Sequence, residues 1–236
     1  MATSLYLAMT AAEYYAAPSL PPQIAWMACH FSPYGSGLSN VPEALPPQSL
    51  LILSDIIPIR GHDPQVIAGQ LEECIRTQGC SGLLLDFQRH PCSETAALTD
   101  VLTQVISCPV AVSEPFALGR NCPVFLPPCP PHIPLKEFIA PWEAQEVWLE
   151  TACSPTQLSL TASGAMVSPL SGCIPDGSVF SDKQLNCHYL TQLTGEQAIF
   201  QLWRNTADLE ALLEEGSGLG ITRFVGLYQE LHSFAQ

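Results

Sequence analysis

The chain has 236 residues, 47% of them hydrophobic and only 13% charged, with 8 Lys and Arg against 22 Asp and Glu, a net charge of −14. That length suits one α/β domain with a large core. The absence of any Lys/Arg cluster argues against a nucleic-acid groove, which needs cations to displace counterions from phosphates, and against attraction to an anionic membrane surface.

In chain order, "SLYLAMTAAEYYAA" reads either as a strand entering a turn or as a short helix. "QIAWMACHF" is the first clear apolar run, followed by a Gly/Ser turn, "PYGSGLS", that lacks the Lys and helix of a phosphate loop. "SLLILSD" ends at Asp55 and leads into "DPQVIAGQLEECIRTQG", a helix capped by Asp63, with Pro64 in its first turn and Gly79 at its exit. "CSGLLLDFQ" carries Asp86 and Gln88. "SETAALTDVLTQVI" is a helix with Ser93 as its expected cap. "CPVAVSEPF" carries Glu114, "CPVFLPP" follows, and "PLKEFI" is a short helix. "EVWLETA" holds Trp148 and Glu150, and "TQLSLTAS" is the seventh run. "LNCHYLTQLTGEQAIFQLW" is a β-hairpin turning at "TGEQ". "TADLEALLEEG" is a helix from Thr206 to a Gly cap at Gly216, and "TRFVGLYQEL" carries Tyr228 and Glu230.

Eight apolar runs, several separated by helices, imply a parallel sheet with right-handed crossovers. The expected fold is a trimmed or irregular (β/α)8 TIM-type barrel, one domain over 1–236, with a hairpin insertion at about 180–203. No helix fits between the fourth and fifth runs, and the sixth and seventh are nearly contiguous.

Reactive groups of such a barrel sit at the C-terminal ends of its strands. Those ends hold Asp55, Asp86, Gln88, Glu114, Glu150 and Glu230, with His30, Tyr34, Trp148 and Tyr228 nearby. Carboxyls that bind hydroxyls or protonate a glycosidic oxygen, beside aromatic plates, suit a carbohydrate cleft. Asp86 and Gln88 are two apart and share a strand face. Taken singly, Glu114, Glu150 and Glu230 also fit solvated or capping roles, and Trp148 fits core as well as sugar platform.

"SGLLLDFQ" (81–88) resembles the third-strand motif of family 18 glycoside hydrolases, D-G-x-D-x-D-x-E. Gly82 matches the Gly and Asp86 the last Asp. Ser81 replaces the first Asp, Leu84 the middle Asp, and Gln88 the Glu. The C-terminal helix and strand are similar to that family's last ones, in the flavour of its spore-germination and cortex-lytic branch, but without the sugar-stacking Trp. The resemblance implies a substrate-assisted mechanism in which the Glu protonates the leaving oxygen, while the Asp steadies the substrate's acetamido group. Gln88 has no acidic proton, and losing general-acid catalysis forfeits a factor of about 10²–10⁴.

The expectation is therefore a glycoside hydrolase-like barrel that binds a carbohydrate or peptidoglycan-like fragment without catalysis, or serves as a scaffold. An active hydrolase using Glu114 or Glu150 is the alternative, and an unrelated small-molecule barrel enzyme a third. No cofactor is expected. Ten cysteines (29, 74, 80, 92, 108, 122, 129, 153, 173 and 187) form no CxxC pair. They read as thiols rather than as a disulfide framework or a metal site. No run reaches about 18 apolar residues, and the first cation is Arg60, so a soluble cytoplasmic protein is expected.

Overall fold

The structure, a computed structural model, describes residues 4–153, 155–170 and 178–232. Eight parallel strands close into a barrel, in the order of the chain: β1 (Ser4–Met9), β2 (Ile24–Phe31), β4 (Leu50–Ser54), β5 (Gly82–Asp86), β6 (Val110–Ser113), β7 (Val124–Leu126), β8 (Val147–Thr151) and β14 (Arg223–Leu227). Closure runs through β1, which pairs with β14 on one side and β2 on the other. A two-residue strand, β3 (Leu38–Ser39), lies antiparallel to β2.

The ambiguous N-terminal run is thus both a strand and a helix. After β1 the chain turns into α1 (Ala11–Ala16), whose start is fixed by a capping box between Thr10 and Glu13. Four of the six β1 residues are buried, as befits a strand covered on both faces. Including β1 makes the "GLLLD" strand the fourth of the barrel rather than the third. The run "TQLSLT", expected as the seventh barrel strand, is β9 (Thr156–Thr161) and lies outside the barrel. It pairs antiparallel with β10 and β13, and its alternation does not mark a covered apolar face: Ser159 is the buried residue and Leu160 is exposed.

The helical layer is uneven, as the short spacers required. α2 (Pro64–Gln78) has Asp63 as N-cap, accepting the Gln65 N–H, and Gly79 as C-cap at φ +65°, where glycine is favoured. α3 (Ser93–Val105) starts one residue earlier than expected: Ser93 is its first helical residue and the cap position falls on Cys92, whose N–H donates to Thr95 Oγ1. Between the fourth and fifth expected runs there is room for one turn only, α4 (Glu114–Ala117). α5 (Leu135–Ile139) leads into a 3₁₀ turn at 140–142. α6 (Thr206–Gly218) continues past Gly216, which does not cap it: Gly216 is buried, and a Cβ there would lie 2.6 Å from Phe224 Cζ. Its glycine is needed for close approach of helix and strand. α7 (Tyr228–Leu231) follows β14.

The hairpin turning at Gly195–Glu196 is present as β12 (Cys187–Thr194) and β13 (Gln197–Trp203). It belongs to a larger antiparallel sheet with β9, β10 (Gly164–Pro169) and β11 (Phe180–Asp182), in the order β10-β9-β13-β12-β11. The inserted sheet therefore begins at Thr156, well before the expected 180. Its anchor is the buried Arg204, which donates to the carbonyls of Cys129, Leu185 and Asn186.

The core has two layers. Leu and Ile of the strands' outer faces pack on α2, α3 and α6. The barrel lumen is filled by Tyr6, Leu50, Leu84, Ala111, Phe125 and Trp148, among others. At its N-terminal end the Arg223 guanidinium lies 4.3 Å from the centroid of Trp148, and its Nη2 donates to the Ser81 carbonyl. This cation–π contact occupies the face of the guanidinium whose Nη1 has no hydrogen-bond partner. Gly82 is required beneath it: a Cβ there would overlap the Arg223 guanidinium and sit 2.8 Å from Trp148 Cη2. Gly82→Ala is expected to cost about 1–3 kcal/mol through overpacking, read as a lower midpoint in urea unfolding with an unchanged slope.

Candidate functional site

Even-numbered residues of β5 point into the lumen, so Gly82 and Leu84 are followed at the top by Asp86. By the same alternation β8 places Trp148 low in the lumen and Glu150 at its mouth. β4 contributes Ser54, and the segment after it Asp55 and Ile56. On β2 the register to β4 shifts between Trp26 and Cys29, a bulge that brings both Met27 and Ala28 to the mouth along with His30. Cys29, adjacent to His30, faces the opposite way into the outer core, so the two form no nucleophile–base pair.

These residues surround a cavity of about 860 Å³. Its floor and walls are apolar, from Ala8, Met27, Ile52, Leu84, Phe125 and Val225, and its polar groups converge from the mouth. Neither the Pro-rich segment 122–134 beyond Phe125 nor the 180–203 hairpin lines it.

The Asp86–Gln88 stretch is clamped. Phe87 turns away from the lumen into an aromatic group with Phe31 and Phe116, and its N–H donates to Ser113 Oγ at 3.0 Å. Gln88 returns to the cavity and donates its side-chain amide to Asp86, 3.2 Å to Oδ2. The backbone here hangs on Asp55, whose carboxylate accepts the Gln88 N–H at 2.9 Å and the Arg89 N–H at 3.0 Å. Arg89 closes the clamp with its side chain, donating to the carbonyls of Asp55 and Ile56. Asp55, expected to meet substrate, is 2% exposed with both carboxylate oxygens accepting backbone N–H groups; it holds the loop that carries Gln88. Asp55→Ala leaves two donors without partners, each costing about 1–3 kcal/mol. The expected results are a lower melting temperature and faster hydrogen exchange at the Gln88 and Arg89 amides.

Burial raises the Asp86 carboxyl above its ordinary value; the Gln88 amide works against this and the Asp55 charge adds to it. Glu150 is pushed further, to about 7, by burial first and then by the charges of Asp86 and Glu230. β5 and β8 are separated by β6 and β7, and their two carboxyls line one mouth, near enough for the Asp86 charge to bear on Glu150. A carboxyl whose folded pKa exceeds its unfolded value binds more protons when folded, so it lowers stability as pH rises from about 4.5 towards 7. Glu150→Gln is therefore expected to raise the melting temperature at pH 8 and leave it nearly unchanged at pH 4.

His30 also lines the cavity. Its Nδ1 donates to the Phe31 carbonyl at 2.8 Å, which leaves Nε2 to accept from the Asn40 amide at 3.2 Å.

The remaining expected site residues lie elsewhere. Trp148 is fully buried beneath Arg223 and is core, not a sugar platform. Tyr34 is 97% exposed on the loop between β2 and β3, away from the cavity wall. Tyr228 packs on the outer core, its ring 5.3 Å from that of His232. Glu114 is exposed at the start of α4 and does not line the cavity. Glu230 acts at a distance: its carboxylate accepts the Cys153 N–H at 3.1 Å and its charge bears on Glu150. The Cys153 thiol, weighed as a nucleophile, is pushed up by burial and by Glu230. Cys173 lies outside the described residues; the described cysteines are all free thiols, and no metal-binding group is found among the described residues.

Ser54, Asn40, Arg89 and the Thr10–Ala12 corner of α1 also line the cavity. Of these only the corner had a sequence signal, the T-x-x-E capping box of "TAAE".

A closed parallel barrel with an antiparallel sheet inserted before its last strand, and carboxyls at its mouth, is a chitinase-like barrel, of the kind that family 18 glycoside hydrolases adopt. Among solved structures, the chitinase-like agglutinin RobpsCRA from Robinia pseudoacacia matches with a TM-score of 0.60 and 10% identity over 97% of each chain. The class V chitinase from Nicotiana tobaccum matches with 0.60 and 11%, over 98% of this chain and 94% of that one. The spore cortex-lytic enzyme SleL of Bacillus cereus matches with 0.56 and 9%, over 95% and 70%; the chain spans 55% of the Bacillus megaterium SleL. No protein-family model and no curated protein matches the sequence. No helix among the described residues is long and apolar enough to cross a membrane.

Proposed function

We propose that the chain is a carbohydrate-binding barrel that lacks the general acid of the hydrolases it resembles. The observation that carries this reading is the Gln88 amide, held to Asp86 at the mouth of an open cavity. An amide keeps the shape and hydrogen bonding of a Glu and has no proton to give at any ordinary pH. The open cavity favours ligand binding over a scaffold role, in which the chain's own loops would fill the space. Solved neighbours fit the ligand class. Glu-to-Gln variants of the chitinases from Nicotiana tobaccum and Cycas revoluta were crystallised with N-acetylglucosamine tetrasaccharides. Among the described residues Phe125 is the one aromatic ring other than His30 in the wall, so recognition here rests on hydrogen bonds and apolar contact more than on stacking.

The test is calorimetric titration of chito-oligosaccharides and muramyl fragments into the protein and into Asp86→Ala. Binding with loss of about tenfold or more in the variant supports the reading, as expected when a charge-assisted hydrogen bond is removed. No heat from any sugar would sink it.

A second reading is favoured by Glu150 alone. A carboxyl near pKa 7 is half protonated at neutral pH and suits a general acid. It predicts reducing-end release from the same oligosaccharides, abolished by Glu150→Gln. Turnover that survives that variant excludes Glu150 as the acid. Glu114, outside the cavity wall, has no such support.

A further inference from the structure

Within the cavity, the charges do not balance. Asp86, Glu150 and Asp55 line it, and Glu230 adds its field from α7. Among the described residues Arg89 is the only Lys or Arg in the wall, and its Nε and Nη2 are taken by the carbonyls of Asp55 and Ile56. Asp55 is satisfied by two backbone N–H groups. Asp86 receives one neutral amide hydrogen-bond donor, that of Gln88. The ion pairs found among the described residues, Arg120 with Asp100 and His188 with Asp208, lie away from this cavity. Leu84 sits directly below Asp86, so the floor offers no compensating group.

Two half-buried carboxyls at one mouth over apolar walls, whose charges bear on each other and which no Lys or Arg among the described residues pairs with, are complementary to one positive charge on a compact apolar frame. We propose that the ligand carries a primary ammonium: the site takes an amino sugar whose nitrogen is not acetylated, a glucosamine unit, with the ammonium between Asp86 and Glu150. This rests on the carbohydrate reading above and adds the charge of the ligand to it. The ammonium supplies three donors where an acetamido group supplies one. The ring's apolar face meets Met27, Ile52 and Phe125, and Gln88 is left to bond a hydroxyl. Arrival of a cation favours the ionised form of Glu150, so binding at neutral pH releases a proton from that carboxyl to the buffer.

The experiment compares glucosamine oligomers with N-acetylglucosamine oligomers of equal length by calorimetry at pH 7, in two buffers of different ionisation heat. Tighter binding of the glucosamine oligomer by about tenfold or more, weakened by added salt and lost in both Asp86→Asn and Glu150→Gln, is the expected result. The parent protein's binding heat should differ between the two buffers, by the ionisation heat of the proton that Glu150 releases. Both substitutions keep the side-chain shape, and Glu150→Gln is expected to be the more stable protein at pH 8, so lost binding there is not lost folding. Equal or tighter binding of the acetylated oligomer, unaffected by Glu150→Gln, would overturn the ammonium while leaving the carbohydrate site intact. Binding of neither oligomer would overturn both.

Discussion

Gln88→Glu is expected to give the protein hydrolytic activity on N-acetylglucosamine oligomers at least about 10²-fold above its starting level, the lower end of what a general acid contributes. The Gln88 side-chain nitrogen is 3.2 Å from an Asp86 oxygen, so a Glu there places two carboxyls within hydrogen-bond distance. Like charges so close cannot both ionise, and the pair holds one proton into the neutral range. Backbone bonds from Asp55 already fix the residue's position, so the acid arrives without an ordering cost. Reducing-end assays across pH 4–8 should show activity falling on the alkaline side as that proton is lost, and Asp86→Ala in the same background should remove it. A Glu variant that binds oligosaccharide with no turnover would show that Gln88 does not stand where an acid is needed. The departures at Ser81 and Leu84 from the D-G-x-D-x-D-x-E pattern would then be the place to look.

Trp148→Ala carries the largest expected effect on stability, about 3–5 kcal/mol, the range for deleting a large buried aromatic. The side chain is fully buried at the N-terminal end of the lumen. Its loss removes the ring beside the Arg223 guanidinium, which keeps only its bond to the Ser81 carbonyl, and the indole N–H that donates to Glu146 at 2.9 Å. A cavity beside a half-buried cation follows, which side-chain relaxation does not repair. At about 2–4 °C per kcal/mol for a chain of this size, the melting temperature should fall by roughly 6–20 °C. A drop of a degree or two would mean that the lumen collapses around the deletion and that Trp148 does not organise it. Ligand affinity below the transition should be little changed, since Trp148 lies beneath the cavity rather than in its wall. That separates its role from that of Glu150 two residues later.

Much of this was legible in the residues themselves. Continuous apolar runs ending in polar residues mark strands buried on both faces, and seven of the eight runs so marked are barrel strands. Asp63, Pro64 and Gly79 delimit α2 because caps are local chemistry. Asp86 and Gln88 share a face because strand alternation is local too, and the resemblance of "SGLLLDFQ" to a family 18 motif pointed to the fold that the barrel and its structural neighbours show.

What local pattern did not contain was decided by the tertiary structure. "SLYLAM" and "TQLSLT" are similar in length, and which of them closes the barrel depends on pairing with β14 at the other end of the chain. The inserted sheet reaches back to Thr156 because β9 pairs with β13 rather than with β8. Trp148 and Glu150 alternate on one strand, but depth in the lumen makes the first core and the second site. Asp55 stands at a strand end as a binding residue would, and two backbone N–H groups from another loop turn it into the clamp of the Gln88 segment. Strand and helix signals are written in neighbouring residues and survive in the sequence alone; depth, closure and the occupancy of a carboxylate are set by residues dozens of positions away.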